Sequence, residues 1–319
     1  MVGQGLLQLL QGGLVMEIRT GRANNVVVTG GAGFIGSHLC ETLLARGYNV
    51  TCIDNLRTGK MENMASFINN PQFKFINASI TEFALLIEKF KDAGIVYHQA
   101  GLDFVTCEMA PGYALEQITD AMIKVTQACI KSSVPRIIFA STGSVLNGNP
   151  ASCYGIAKLA AELMLKQLSQ YNPWLKYTIL RYYNVYGTRQ NDNPNTGGVI
   201  PIFINNSINN KLIIIHGDGS QTRQFTSVND VVRANIYCGE NDITYGQTYD
   251  VCSDRVVSIK ELAYLIAPKL PVKHLSMRNG DVMEFGGDNT ALKALGFEFD
   301  NDFETNISHL MNWMVKHES

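Results

Sequence analysis

The chain has 319 residues, 46% of them hydrophobic and 17% charged. That balance fits one large or two modest globular domains with a sizeable core, and it excludes a disordered chain. Lys and Arg total 26 against 28 Asp and Glu, a formal net charge of −2. No basic surplus therefore points to nucleic acid or an anionic membrane, and any affinity for phosphate must be built locally.

The first stretch, from Gly5 to Met16, is apolar but broken by glycines, has no Lys or Arg before it, and is too short to span a bilayer. It reads as an N-terminal extension over residues 1–22, with Met16 as the working start, and not as a signal peptide. No membrane partner is expected. The seven cysteines contain no Cys-x-x-Cys pair. An odd number lying mostly in apolar segments reads as buried thiols in a reducing, cytoplasmic compartment. Cys153, beside Tyr154, reads as packing.

Val26, Val27 and Val28 are a β-branched run of the kind buried in a parallel sheet. Gly30, Gly33 and Gly36 follow at spacings of three. A phosphate approaches a helix N-terminus closely only where no side chain stands in the way, and free N–H groups with the positive end of the helix dipole then hold it. Phe34, Ile35, Leu39, Leu43 and Leu44 give the next helix an apolar face. A second strand over residues 49–53 ends in Asp54, eighteen residues beyond Gly36, where a dinucleotide fold places a carboxylate for the adenosine ribose hydroxyls. The glycines alone are a weak signal; with the strand, the helix and the closing acid they are a strong one.

A polar loop follows to Lys60. Strands are expected at residues 73–76, 95–98, 136–140 and 177–183, with helices at 83–90, 113–131 and 153–170. Leu115, Ile118, Met122, Val125 and Cys129 share one face of the second of these helices. Alternating strand and helix means a doubly wound parallel sheet with helices on both faces. The polar, Asn-rich stretch over residues 187–198 reads as a domain boundary. Beyond it come a helix at 200–209 and a strand at 212–215. This smaller part is expected to build a substrate cleft over the carboxyl edge of the sheet.

Tyr154 and Lys158 lie one turn apart on a predicted helix, so they share a face. A free tyrosine titrates near pH 10. A neighbouring ammonium and a positively charged nicotinamide ring would both favour phenolate. Such a group can take a proton from an alcohol as hydride leaves the same carbon. Thr142, closing the preceding strand, could hydrogen-bond that alcohol. A solvated Tyr–Lys pair is the plain alternative; the upstream dinucleotide loop argues against it.

Thr29-Gly-Gly-Ala-Gly-Phe-Ile-Gly-Ser-His-Leu39, Asp54-Asn-Leu56, Ala140-Ser-Thr142, Tyr154-Gly-Ile-Ala-Lys158, Arg181-Tyr-Tyr-Asn184, Arg223-Gln-Phe225 with Val228 and Asp230, and Arg278-Asn-Gly-Asp281 together resemble the extended short-chain dehydrogenase/reductase family. Within it the chain is most similar to sugar-nucleotide 4-epimerases of the UDP-galactose type. The resemblance covers about residues 24–316. It implies a Rossmann-type NAD-binding domain over residues 23–184, with a returning segment near 224–252, and a smaller C-terminal α/β substrate domain over 185–319. It implies that Thr142, Tyr154 and Lys158 are catalytic. It puts Gly30, Gly33, Phe34, Ile35, Gly36, Asp54, Asn55, Thr58, Gly59, Ser79, Ile80, Gln99, Ala100, Gly101, Ser141 and Tyr182 along the cofactor, beside Tyr154 and Lys158. It gives Thr142, Ser144, Tyr154, Asn184, Val199, Arg223, Arg278 and Asp281 to the nucleotide sugar. Arginine suits a diphosphate because its planar fork is always charged and can pair two oxygens. A homodimer through helices 113–131 and 153–170 is also implied. No metal is expected.

Several positions depart from the family pattern. The stretch from Thr142 to Tyr154 is short, with Leu146-Asn-Gly148 where an aromatic Tyr-Gly turn is usual. Ser79 stands where an acid often meets the adenine, Asp103 replaces a lysine, Ala157 replaces a serine, and the helix around Ile118 lacks the usual asparagine. After Thr142, dehydratases carry Asp-Glu and decarboxylases carry glutamate at the second position; Gly143-Ser144 stands here. The resemblance therefore implies NAD-dependent epimerisation at C4 of a UDP-hexose through a transient 4-keto sugar, with Asp54 favouring NAD over NADP and Arg57 weakening that preference. A 4-ketoreductase consuming NAD(P)H and a non-catalytic dinucleotide-binding protein stay open as alternatives.

Overall fold

Val26 and Val28 pack into one core and Val27 into another, because successive side chains of a strand point to opposite faces of the sheet. The computed structural model describes residues 24–193, 196–277 and 282–317. The N-terminal extension, Arg278 and Asp281 lie outside these described residues.

Strand β1 (Asn25–Thr29) is followed by helix α1 (Phe34–Ala45) and strand β2 (Asn49–Asp54). Next come β3 (Phe73–Asn77), α2 (Phe83–Phe90) and β4 (Ile95–His98). Helix α3 (Ala121–Lys131) leads to β5 (Arg136–Thr142), and α4 (Cys153–Tyr171) to β6 (Lys176–Tyr182). Helix α5 (Val228–Glu240) leads to β7 (Gln247–Val251). The sheet has seven strands in the order β7-β6-β5-β4-β1-β2-β3. Every pairing in it is parallel, which requires the helical crossovers. Strand order reverses between β1 and β4, and ligands of such sheets bind in the crevice that this reversal opens at the carboxyl ends.

One core lies between the sheet and α1 with α5, through Leu39, Leu43, Val231 and Ile236. The other lies under α2, α3 and α4, through Leu86, Phe90, Met122, Val125 and Leu165. A third, through Phe203, Ile204, Ile215, Leu262, Ile266 and Leu310, supports the C-terminal elements. These include helix Val199–Ile208, strand Ile213–His216 and helix Phe303–His317. Strand β5 runs two residues past its expected end and includes Ser141 and Thr142.

The helical run before Lys131 is not one regular helix. Pro111–Ala114 leads into a wider π-type turn at Leu115–Asp120 and then into α3. Leu115, expected on the apolar face, is 47% exposed. Ala114, one turn before Ile118, is buried on that face in its place. All seven cysteines are free thiols, with Cys153 half-buried and the others buried. Among the described residues no helix is long and apolar enough to cross a membrane.

Candidate active site

The turn between β1 and α1 is shaped by its glycines. Gly30 has φ +71, and a Cβ there would stand 2.6 Å from the Ala100 nitrogen. A Cβ on Gly36 would fall 2.0 Å from the Gly30 carbonyl oxygen. These two glycines are required by the fold itself. Gly33 differs: its Cβ would meet nothing nearer than the Gly30 oxygen at 3.2 Å. Gly33 caps α1 with no side-chain hydrogen bond, so the first amides of the helix face an open approach.

The end of β2 braces that turn. Asp54 Oδ2 accepts from the Ala32 amide at 3.0 Å and Oδ1 from the Leu56 amide at 2.8 Å. Burial pushes its carboxyl above the usual carboxylate range, and the two amide hydrogen bonds work the other way.

A cavity of about 550 Å³ opens at the sheet's switch point. It is lined by Gly30, Gly33, Phe34, Ile35, Gly36, Asp54, Asn55, Thr58, Ile80, Gln99, Ala100, Gly101, Ser141, Tyr154, Lys158 and Tyr182. Two further residues expected along the cofactor do not line it. Gly59 packs behind Asp54, where a Cβ would stand 2.9 Å from Oδ1. Ser79 instead pairs its hydroxyl with Thr81 at 2.8 Å. Arg57 and Asp103, noted in the sequence as departures or qualifiers beside the cofactor, line the cavity, as do Gln117 and Gln190, which were not singled out. Arg57 stacks 4.7 Å from the Tyr113 ring centroid. Asp103 caps helix Phe104–Met109, accepting from the Thr106 amide at 2.9 Å. Gln190 donates to the Val185 carbonyl at 2.9 Å, while its own Oε1 is buried with no partner. An unpaired acceptor on a residue that lines a cavity is a group a ligand can satisfy. The spacing of Gln117 and Gln190 in the chain offered no signal that they converge on the cavity.

Tyr154 and Lys158 lie one turn apart near the start of α4, which Ser152 caps by accepting from the Gly155 amide at 3.0 Å. Lys158 is 4% exposed. Its ammonium donates to the Ala140 carbonyl at 2.7 Å and sits 5.0 Å from the Phe139 ring centroid. Burial lowers its pKa to about 8. The phenol of half-buried Tyr154 is pushed up to about 12 by burial, and a hydrogen bond with Thr142 pulls it back. In the chain's own surroundings, without the charge a bound cofactor would add, burial makes the phenol less acidic than a free one. His98 lies deeper, stacked on Phe139 and 2.7 Å from Thr29 Oγ1, with burial lowering its pKa to about 3.

Thr142 caps the short turn after β5 and accepts from the Ser144 amide at 3.2 Å. Thr142, Ser144, Asn184, Val199 and Arg223 are not among the lining residues of the cavity. Asn184 holds a positive φ of 39 and donates to the Gln224 carbonyl at 3.0 Å. Val199 begins the helix Val199–Ile208, and Arg223 lies in strand Thr222–Gln224, donating to the Thr222 carbonyl at 2.8 Å. Among the described residues no group of His, Cys, Asp and Glu could hold a metal ion.

These residues fit a dinucleotide: an open amide cradle, a carboxylate closing β2, and one unpaired acceptor beside them. Comparison with known proteins agrees. The NAD dependent epimerase/dehydratase family matches residues 26–252. A Methanocaldococcus jannaschii protein provisionally assigned as a UDP-glucose 4-epimerase is 34% identical over 311 residues, covering 91% of this chain and 98% of that one. The UDP-N-acetyl-alpha-D-glucosaminuronate decarboxylase of Bacillus cytotoxicus is 34% identical over 255 residues, 74% of this chain and 77% of that one. The solved UDP-N-acetylglucosamine 4-epimerase of Methanobrevibacter ruminantium, in complex with UDP-N-acetylmuramic acid, superposes with a TM-score of 0.87 at 33% identity, covering 92% of this chain and 98% of that one. The chain belongs to the NAD dependent epimerase/dehydratase family.

Proposed function

We propose that this chain uses NAD to epimerise C4 of a UDP-hexose of the UDP-glucose/UDP-galactose type, through a transient 4-keto sugar. The observation that carries the reading is that Tyr154 and Lys158 line the same cavity as the glycine turn and Asp54. NAD, when bound, supplies a carbon that takes hydride from C4 and gives it back, and a positive charge beside the phenol.

The residues then divide the remaining work. Asp54 accepts from the adenosine ribose hydroxyls, and the α1 amides behind Gly33 hold the diphosphate. Tyr154 takes the C4 hydroxyl proton and returns it. Since burial, with a smaller push from Cys107, holds this phenol near 12, nearby positive charge must lower it for the transfer to run at neutral pH. Thr142 orients the C4 hydroxyl. Asn184, Arg223, Arg278 and Asp281 are assigned to the nucleotide sugar, Ser144 and Val199 to the sugar's surroundings, and Gly59 and Ser79 to the cofactor's adenosine side. Residues 23–184 with 224–252 form the NAD-binding unit, and the rest of 185–319 the substrate unit.

Similarity is divided between an epimerase and a decarboxylase. Gly143 and Ser144 support epimerisation, because no acid follows Thr142 to assist elimination or decarboxylation. Purified protein given UDP-galactose without added cofactor should yield UDP-glucose, identified by chromatography. Oxidation of added NAD(P)H only with a keto-sugar would establish a ketoreductase instead. Loss of carboxylate from a UDP-uronic acid would establish a decarboxylase. A homodimer is supported by exposed Ile156 and Leu163 on α4, at 50% and 57%, with Met109 at 81% beside it. Seven free thiols support a reducing, cytoplasmic setting.

A further inference from the structure

Glu162 lies one turn beyond Lys158 on α4 and has no exposed surface. Its Oε1 accepts from the Ser141 hydroxyl at 2.6 Å and from Arg181 Nε at 2.9 Å, while Oε2 accepts from Arg181 Nη2 at 2.8 Å. Ser141 and Arg181 are direct neighbours across β5 and β6. One carboxylate therefore ties α4 to the ends of two strands.

The three residues closing β5 have linked duties. The Ala140 carbonyl holds the Lys158 ammonium. Ser141 is held by Glu162. Thr142 lowers the pKa of the Tyr154 phenol against burial. A buried ion pair is a poor source of stability, since a well-packed apolar pair of similar volume is often as good or better. Its placement between the two elements that carry Tyr154, Lys158 and Thr142 calls for another role.

We propose that Glu162 is a positioning residue for proton transfer: its carboxylate sets the distance between α4 and the end of β5, and its charge keeps Lys158 an ammonium. This rests on the epimerase reading only for its kinetic consequence. The charged and titratable groups near Lys158 are Tyr154 and Glu162 on its own helix, Cys107 and Asp103 from the neighbouring helix and its cap, His98 on β4, and Arg181 on β6. Burial keeps the His98 imidazole and the Cys107 thiol neutral near pH 7. Glu162 is thus a negative charge one helical turn from Lys158, fixed in place by Ser141 and Arg181, and its influence raises the lysine's pKa against burial.

The test uses the full chain loaded with NAD and carrying isotope-labelled lysine. The Lys158 side-chain resonance, assigned with Lys158→Arg, is titrated by NMR alongside the kcat pH profile. In Glu162→Gln the amide oxygen still accepts from Ser141, but the charge is gone. The Lys158 midpoint should fall by about one pH unit, with the high-pH limb of kcat moving down in step. At neutral pH kcat should drop roughly tenfold with KM within about twofold. Glu162→Asp keeps the charge, so its midpoint should stay in place while kcat falls less. Should Glu162→Gln not fold, Glu162→Gln with Arg181→Gln leaves no unpaired buried charge and should show a smaller downward shift, because the guanidinium that opposed the carboxylate is gone as well. A Lys158 midpoint that does not move in whichever neutral variant folds overturns the proposal. If the midpoint moves while the wild-type chain converts no UDP-hexose, the epimerase reading fails and the role of Glu162 toward Lys158 stands.

Discussion

The Lys158 ammonium donates to the Ala140 carbonyl oxygen at 2.7 Å, so the lysine of α4 is fastened to the end of β5. The same strand end supplies Thr142, whose hydroxyl works against burial to lower the Tyr154 pKa. One helix thus presents a phenol and an ammonium to a single cavity, and the strand end to which its lysine is fastened is a regular element and not a loop.

Removing the phenol oxygen should stop the reaction and spare the cofactor. Tyr154→Phe is expected to lower kcat by about a thousandfold, the scale of a lost acid–base group. The ring still packs edge-on against Phe104, so the fold should hold. NAD released on denaturation, measured by absorbance, should match wild type. Retained activity would refute the proton-transfer assignment.

Two glycines of the turn should fail in different ways. Gly36→Ala drives a methyl to 2.0 Å from the Gly30 oxygen. It should cost about 3 kcal/mol or more of stability, as overpacking does. Gly33→Ala meets protein only at 3.2 Å. It should cost under about 1 kcal/mol of stability yet weaken NAD binding at least tenfold, about 1.4 kcal/mol. Thermal unfolding of NAD-stripped protein and a direct NAD titration separate the two. Equal effects on both properties would contradict the distinction.

Asp54→Asn should loosen the turn and the cofactor together. The amide still accepts at one oxygen but loses an acceptor for either Ala32 or Leu56. The expected cost is about 1–3 kcal/mol of stability, with weaker NAD binding by calorimetry.

His98 makes stability fall in acid. Its folded pKa of about 3 lies below the ordinary 6.5, so near pH 7 the ring is neutral in both states. As pH falls from 6.5 toward 3, the unfolded chain takes up a proton that the folded one refuses, and stability declines across that window. Carboxylates titrate there too, so the reading is a difference. His98→Asn should show a shallower loss of Tm between pH 6.5 and 4 than wild type. Identical slopes would contradict the assignment.

What the sequence showed of this site was local. Gly30, Gly33, Gly36 and Asp54 are read from one strand–turn–helix–strand unit, and Tyr154 with Lys158 from one helical turn. What it did not show depends on register and distant approach. The ion pair of Glu162 with Arg181 requires α4 to lie over β6, and Lys158 meets Ala140 only once β5 and α4 are packed. Gln190 enters the cavity from a loop beyond β6 with no spacing to announce it. Leu115 was misplaced because helical periodicity alone cannot choose between it and Ala114. The raised pKa of Tyr154 is a consequence of burial, which a Tyr-x-x-x-Lys spacing does not encode.

The central claim is that hydrogen leaves C4 and returns to the same carbon without leaving the protein. The direct measurement gives the purified chain, with no added cofactor, UDP-galactose deuterated at C4 and follows the product by mass spectrometry. The account predicts UDP-glucose that keeps its deuterium at C4. Folded, NAD-loaded protein that makes no UDP-glucose, or product whose label has washed out to solvent, would contradict it.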